Sequence, residues 1–473
     1  MSELFTDGAA LAQAASEVAG ISTPLREATL AAAASTSTVL PPGADEVSAA
    51  ITTLVNGHAQ EYQQIAAGAQ RFHEQFAGLL AQSGQTYQQT EQAAEQFLRD
   101  IVTELEQPFT PFLVPPETPT PPTVPSDSSV GLILGGTDSP FASKNWAAGP
   151  LYLNGSVNSL LYTPEQFWPI TPQLGGMTLG QSVHEGVGLL DQALLTQFAA
   201  GNHVTVWTMS QSSVVATEEI RSLMAQGSPY TGQLSFVLTG NPNNPNGGFF
   251  ERFTGLYIPL LDADLNGATP PDSPYATSVY TNQYDGVADF PNYPLNVVSD
   301  VNAILGATPS SQHNYIVPRT YYELPTSPDY HGHTTYYMSL DDGLPLTQPL
   351  RLLGGPGNAV ADLLQPDLRV IVDLGYASGQ YADIPTPAQL VGIPNVPVVL
   401  NALATGTVQG VQAFGVDAGL LPQSMFPDAY PYLPVLDPGL NLATGQPSVT
   451  AISLVLGAEH RLMDNLGLIP SWD

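Results

Sequence analysis

Ser210 stands where an apolar run ends and an amphipathic one begins, in the stretch Asn202–Arg221, NHVTVWTMSQSSVVATEEIR. His203 to Trp207 reads as a buried strand, and Val214, Val215, Ile220, Leu223 and Met224 return at helical spacing beyond it. A serine on the turn between a strand and a helix has its hydroxyl thrust clear of the sheet, which is the placement of a nucleophile elbow. Such a turn is tight, so the residues two before and two after the nucleophile pack together and should be small. For Ser210 they are Thr208 and Ser212: Ser212 fits, while Thr208 is β-branched where glycine is usual. A register on Ser212 puts Ser210 and Val214 at the flanks, and one on Ser213 puts Gln211 and Val215 there, so neither fits better. Ser210 is the candidate nucleophile. The turn alone equally allows a solvated N-cap serine at an ordinary strand-to-helix junction.

A serine nucleophile needs a base and an acid to orient that base, and in the α/β-hydrolase pattern they follow in the order serine, acid, histidine. The run Ala276–Asp285 ends in Asp285-Gly286, which puts a carboxylate at the carboxyl end of a strand. Asp289 is the rival, and either could be a turn-capping aspartate instead. His313, His331 and His333 all satisfy the order. His313 follows the helix-like stretch Val297–Leu305 in a loop suited to delivering an imidazole. His331-Gly-His333 has the spacing of a metal-binding pair, but no third ligand cluster accompanies it, and no metal or other cofactor is expected. Upstream, the short strand in Val130–Asp138 runs into Gly135-Gly136-Thr137. Two glycines let backbone approach a substrate closely, so Gly136, Thr137 and the Gln211 N–H are the candidate oxyanion hole. A strand followed by Gly-Gly is also an ordinary turn.

These residues have to be held by something. Leu179, Val183, Val187, Leu190 and Leu194 predict a helix before the elbow, with His184 as a surface or half-buried member. Leu234–Thr239 is a continuously apolar strand, the kind a parallel sheet buries on both faces. Residues 130–375 are therefore expected to form an α/β hydrolase, a parallel-sheet core with flanking helices. Within it, Asn241–Pro274 is turn-rich yet carries Phe249, Phe250, Phe253, Leu256 and Ile258, and reads as a lid or acyl-binding flap. A loop wrapped against the core is the alternative. Residues 376–473 are rich in proline and alanine, with helix-like Pro397–Ala404 and Ala451–Asn465, and are expected to pack on the hydrolase; His460 reads as a surface residue there.

Residues 1–100 differ from all that follows: alanine, glutamine and glutamate dominate, and apolar residues recur at helical spacing on both sides of the turn Leu40-Pro-Pro-Gly43. An all-α helical hairpin is expected, with apolar stripes it cannot bury alone, so a partner helix pair is implied. Residues 101–129 are a proline-dense, semi-rigid linker. The chain has 473 residues, 43 glycines, 44 prolines, no cysteine and a formal net charge of -32. That charge excludes a nucleic-acid footprint and opposes anionic membranes. The absence of cysteine excludes a thiol nucleophile. Met1–Gly8 lacks the basic and apolar regions of an ordinary secretory signal.

The first block resembles the PE domain of the mycobacterial PE family, through Gly43–Ile51 and through His58, Tyr62 and Phe72–Phe76. The namesake Pro-Glu pair is missing, and Thr6-Asp-Gly8 stands in its region. The resemblance implies a PPE-family partner in a helical bundle and export by the type VII secretion machinery, whose Tyr-x-x-x-Asp/Glu signal Tyr87–Glu91 matches. Residues 130–375 resemble the PE-PPE domain, an α/β serine hydrolase related in pattern to cutinases. The markers are Leu134–Thr137, Met209–Ser212, Thr281–Pro291, Tyr293–Asn296, His313–Tyr315 and Thr334–Tyr337 with Leu344–Leu346. This resemblance implies Ser210 as nucleophile, Asp285 as acid and His313 as base.

The resulting expectation is a secreted or cell-envelope serine esterase acting on ester or lipid substrates with short to medium acyl chains. Transfer of the acyl group to a sugar hydroxyl is one alternative. A catalytically degenerate interaction protein, kept open by Thr208, is the other.

Overall fold

Apolar runs too short to be helices, alternating with amphipathic stretches, bury both faces most simply as a parallel sheet covered by helices. The computed structural model has that arrangement, and it describes residues 129–140, 147–308 and 311–470 together with part of 13–63. The chain divides into two compact units, Met1–Glu117 and Thr118–Asp473. In the first, described residues such as Gln13, Thr52 and Asn56 are helical. The Asn56 side chain bonds the backbone N–H and C=O of Val39, at 3.0 and 3.1 Å, across the predicted Pro41-Pro42 turn. Tyr87–Glu91 and nearly all of the linker lie outside the described residues.

The second unit is built on a seven-stranded sheet. Its strands are β1 (Ser129–Ile133), β2 (Val157–Leu160), β3 (His203–Met209) and β4 (Leu234–Thr239), then, after a two-stranded ribbon of β5 (Tyr257–Ile258) and β6 (Ala263–Asp264), β7 (Ala276–Asn282), β8 (Tyr321–Glu323) and β9 (Thr334–Ser339). The order is β2-β1-β3-β4-β7-β9-β8, parallel throughout except for β8 against β9. The chain lays β2 on one side of β1 and then continues on the other side with β3. The switch point of the sheet therefore falls between the carboxyl ends of β1 and β3, where open α/β sheets hold their ligands.

Helices α1 (Leu179–Ala199) and α2 (Gln211–Ala225) cover the first half of the sheet, followed by α3 (Val297–Gly306), α4 (Gly355–Asp373), α5 (Val396–Asp417) and α6 (Ala451–Asn465). Thr178 starts α1 with a reciprocal capping box to Gln181. Its stripe of Leu179, Val183, Leu190 and Leu194 then packs on Val204, Val206, Phe236 and Leu238 of the central strands. Each such side chain contributes about 1.5–3 kcal/mol by burial, which holds the strand ends still. Among the described residues no helix is long and apolar enough to cross a membrane.

The expected lid is not there. Phe249, Phe250, Phe253, Leu256 and Ile258 pack against the main core, and the Phe249, Phe253 and Phe290 rings lie 5.0–5.5 Å apart. Arg252 fastens the segment with hydrogen bonds to the Phe290 and Thr386 carbonyls. An aromatic cluster gains more from the core than from water, so the wrapped loop prevails. His184 is exposed on α1. His460 is half-buried rather than a plain surface residue, with Nε2 3.3 Å from Asp264 Oδ1.

Burial raises seven carboxyl groups of this unit: Glu165, Glu219, Glu251 and Asp289 to about 7 and Asp300, Asp373 and Asp417 to about 6. Between the ordinary carboxylate range and about pH 7, the folded chain therefore holds protons that the unfolded chain has released. Stability is full below that window and falls as pH rises through it. Thermal melts should give a higher midpoint at pH 5 than at pH 8, and Glu165→Gln with Asp289→Asn should narrow the difference.

Candidate active site

The backbone at Ser210 is held at φ 59°, ψ -120°, a region that costs a residue with a side chain about 1–3 kcal/mol. Strain of this kind persists only where the surroundings over-determine it, and here they do. The Ser210 N–H bonds the Thr239 carbonyl at 3.0 Å. The Ser212 hydroxyl accepts from the Met209 N–H at 3.0 Å and donates to the Gly135 carbonyl, tying the elbow to the loop after β1. Thr208 is fully buried, its hydroxyl sharing a 2.9 Å hydrogen bond with Ser213, while Thr239 Oγ1 donates to the Thr208 carbonyl at 2.7 Å. The β-branched residue is therefore built into the turn by its hydroxyl, which a glycine could not supply. Ser212 and Ser213 are buried and committed to this framework. Ser210 makes no side-chain capping bond and does not adopt the extended backbone of a capping serine, so the N-cap reading fails.

The loop Gly135–Asp138 lies directly against the elbow. A Cβ on Gly136 would come within 3.0 Å of the Met209 carbonyl and 3.4 Å of Ser210 Cβ, and one on Gly135 would collide with the Ser139 carbonyl. Only glycine lets this backbone run so close. Thr137 Oγ1 donates to Gln211 Oε1 at 2.9 Å, and the Gln211 amide is anchored in turn on the Gln166 carbonyl and Ser182. Gln211 is the first residue of α2, so its backbone N–H has no acceptor within the helix and is available to an oxyanion.

Of the two aspartates, Asp285 meets a histidine. His313 Nδ1 lies 2.8 Å from Asp285 Oδ2 and 3.0 Å from Oδ1, with both side chains at least 95 % buried. The carboxylate also accepts from Tyr315 Oη at 2.6 Å and from the Val287 N–H at 2.9 Å. With Nδ1 donating to Asp285, the lone pair sits on Nε2, which is buried and has no partner among the described residues. His313 leans on Gly240: a Cβ built there would lie 2.6 Å from His313 Cε1. The residue before it, Thr239, receives the Ser210 N–H, so Ser210 and His313 share one strand end. Asp289 instead accepts the Tyr284 N–H at 2.8 Å and pins the turn beneath Asp285.

His331 and His333 do not join this group. They are exposed and precede β9, which puts them at the amino ends of the parallel strands, whereas Ser210 and Asp285 follow the carboxyl ends. Among the described residues no set of three or more His, Cys, Asp or Glu side chains is arranged to hold a metal ion.

Two positioning residues escaped sequence reasoning, although both stood within quoted markers. Tyr315 holds Asp285, and Asn282 clamps the loop on either side of His313, donating to the Gln312 and Asn314 carbonyls at 2.6 and 3.2 Å. Gly240 was missed as well. Gly240→Ala would strain a φ of +55° and push the imidazole aside, and kcat for the reaction this site performs should fall by about 10²-fold. Steady-state kinetics in which kcat is unchanged would place the imidazole outside the reaction.

Residues 154–377 match the PE-PPE domain and residues 4–94 match the PE family. PE family protein PE3 of Mycobacterium tuberculosis is 43% identical, with 95% of this chain and 95% of that protein covered. Esterase PE16 of the same organism is 42% identical over 85% of this chain and 74% of its own length. Diacyltrehalose acyltransferase Chp2, also from M. tuberculosis, is 28% identical over 56% of this chain and 78% of its length. No solved structure matches. By its length-spanning similarity to PE3, and by a PE region followed by a PE-PPE domain of α/β-hydrolase architecture, the chain belongs to the PE family.

Proposed function

We propose that the chain is an exported serine carboxylic-ester hydrolase. The observation that carries the reading is the pairing of a strained Ser210 with a buried Asp285–His313 couple at the same end of the sheet. His313 Nε2 takes the Ser210 Oγ proton as Oγ attacks the ester carbonyl. Asp285 keeps the Nδ1–H tautomer and balances the imidazolium. The N–H groups of Gln211 and of the Gly136-Thr137 loop receive the oxyanion, and the alcohol leaves with the proton from His313. Water, deprotonated by the same imidazole, then releases the acid. The similarity to Esterase PE16 supports this reading.

Short to medium acyl chains are the proposed substrates, because the aromatics that would line a long acyl tunnel are already spent on the core. The PE region and the similarity to PPE family proteins favour a PPE-family partner, and type VII export to a secreted or envelope-associated location completes the proposal. The similarity to Diacyltrehalose acyltransferase Chp2 favours a second reading, in which a sugar hydroxyl replaces water at the acyl-enzyme.

The test is turnover of a p-nitrophenyl ester chain-length series, with and without trehalose. Release of free acid throughout supports the hydrolase, and an acylated sugar supports the transferase. No turnover at any chain length, with no labelling of Ser210 by a fluorophosphonate, would sink both.

A further inference from the structure

One buried carboxyl beside the oxyanion loop takes no part in the proton transfers. Glu165 stands in the connection between β2 and α1, 1 % exposed and at φ 49°. Left-handed backbone is uncommon for a residue with a long side chain and persists only where its surroundings hold it. Here the framework of the oxyanion hole holds it. The Glu165 carbonyl accepts the Asp138 N–H at 3.1 Å, which fastens the far end of the Gly135–Asp138 loop. The Gln166 carbonyl, one residue on, accepts from Gln211 Nε2 at 3.1 Å. The Gln166 N–H donates at 3.0 Å to Ser182 Oγ, to which the Gln211 amide is also bonded. Two successive carbonyls thus grip the two halves of the candidate oxyanion hole. The Glu165 side chain packs against the loop itself: a Cβ built on Gly135 would lie 3.3 Å from Glu165 Cγ.

The carboxyl suits this place only without charge. Among the described residues its donor is the Thr163 hydroxyl, 2.6 Å from Oε1, while Oε2 is buried with no partner. No described lysine or arginine faces it. Asp138, on the loop after β1, accepts from Gln173. Tyr162 precedes Glu165 on its own segment, His184 and Glu185 lie at exposed positions of α1, and the first turn of α2 carries no acid. Burial therefore pushes the Glu165 carboxyl up to about 7. Ionised, it would be an unpaired buried charge, and it would set a negative charge beside the loop that has to receive the oxyanion. Neutral, it fills the space behind that loop at no electrostatic cost.

On the esterase reading of Ser210, on which this rests, we propose that Glu165 is a positioning residue of the oxyanion hole, bracing it through a neutral carboxyl and releasing it when the proton is lost. The folded chain keeps that proton below about pH 7 and loses it above, so kcat falls on the alkaline side. KM holds, because the oxyanion forms only after the substrate has bound. A site governed by its imidazole alone would instead rise with pH and stay level. Steady-state hydrolysis of p-nitrophenyl butyrate by the full chain from about pH 5.5 to 9, read at the p-nitrophenol isosbestic wavelength, tests it. The unmutated chain should lose about tenfold in kcat across the alkaline limb, with KM steady and circular dichroism unchanged. Glu165→Gln has the same shape and cannot ionise, so it should match the unmutated chain on the acid side and keep its kcat on the alkaline side. Glu165→Ala, which removes the brace, should lose about tenfold in kcat at every pH, and if it fails to fold the glutamine variant still decides. The inference is overturned if the unmutated chain shows no alkaline loss, if Glu165→Gln retains that loss, if KM moves in place of kcat, or if the loss tracks unfolding. An unmutated chain with no turnover and no fluorophosphonate labelling at any pH would sink the esterase reading and this inference together, whereas turnover with an unaltered profile in Glu165→Gln sinks this inference alone.

Discussion

Ser210→Ala is expected to lower kcat on a p-nitrophenyl ester by about 10³–10⁶-fold and to leave the thermal midpoint unchanged. The second half of that expectation separates a nucleophile from a helix cap. A capping serine loses about 1 kcal/mol of stability on truncation to alanine, because a backbone N–H loses its acceptor. Ser210 makes no such bond, so its hydroxyl has nothing structural to lose. The backbone strain does have a structural cost. Ser210→Gly should be as inactive as the alanine variant but more stable by about 1 kcal/mol, since glycine accepts φ 59° freely. A serine that can be removed with gain of stability and loss of all turnover is held there for chemistry. Retained turnover in both variants would move the reaction away from Ser210, and a drop in midpoint with intact turnover would return it to the role of a cap.

The elbow could be read in the sequence because everything that makes it is local: an apolar strand, a serine and an amphipathic helix follow one another within twenty residues. The parallel sheet was equally legible, since runs such as Leu234–Thr239 are apolar at every position and can be satisfied only by burial on both faces. Composition failed where two environments want the same residues. The phenylalanines of 249–253 would suit a lid or a core, and the choice fell to the Phe290 ring and the Arg252 anchor, which come from contacts about 40 residues away. Thr208 failed for a smaller reason. Judged by bulk it weakens the elbow, but its hydroxyl has Ser213 as a partner five residues on, a pairing visible only once the turn is folded. The three histidines were separable in principle. A residue just before a parallel strand sits at the amino end of the sheet, and that rule removes His331 and His333 once β9 is placed.

The acid is the choice that sequence order left open, and its test carries the second large effect. Asp285→Asn is expected to lower kcat by about 10⁴-fold, because an amide in place of the carboxylate can donate to Nδ1 and so favour the wrong imidazole tautomer. The cost arises without any loss of packing, as Asn and Asp have the same shape, so the folded fraction should hold. Tyr315→Phe removes a 2.6 Å phenol donor from the same carboxylate and should cost about tenfold, with the Asp285–His313 contact still made. Asp289→Asn should do the reverse of Asp285→Asn. Its carboxyl is pushed up to about 7 by burial and serves the Tyr284 N–H, so the amide keeps that acceptor and turnover should stay within about threefold. The three variants together decide whether one carboxylate or the whole turn governs the imidazole. If Asp289→Asn matched Asp285→Asn in kcat, the turn would be acting as a unit. If Asp285→Asn alone collapses turnover, the proton on Nδ1 is what the buried carboxylate is there to hold.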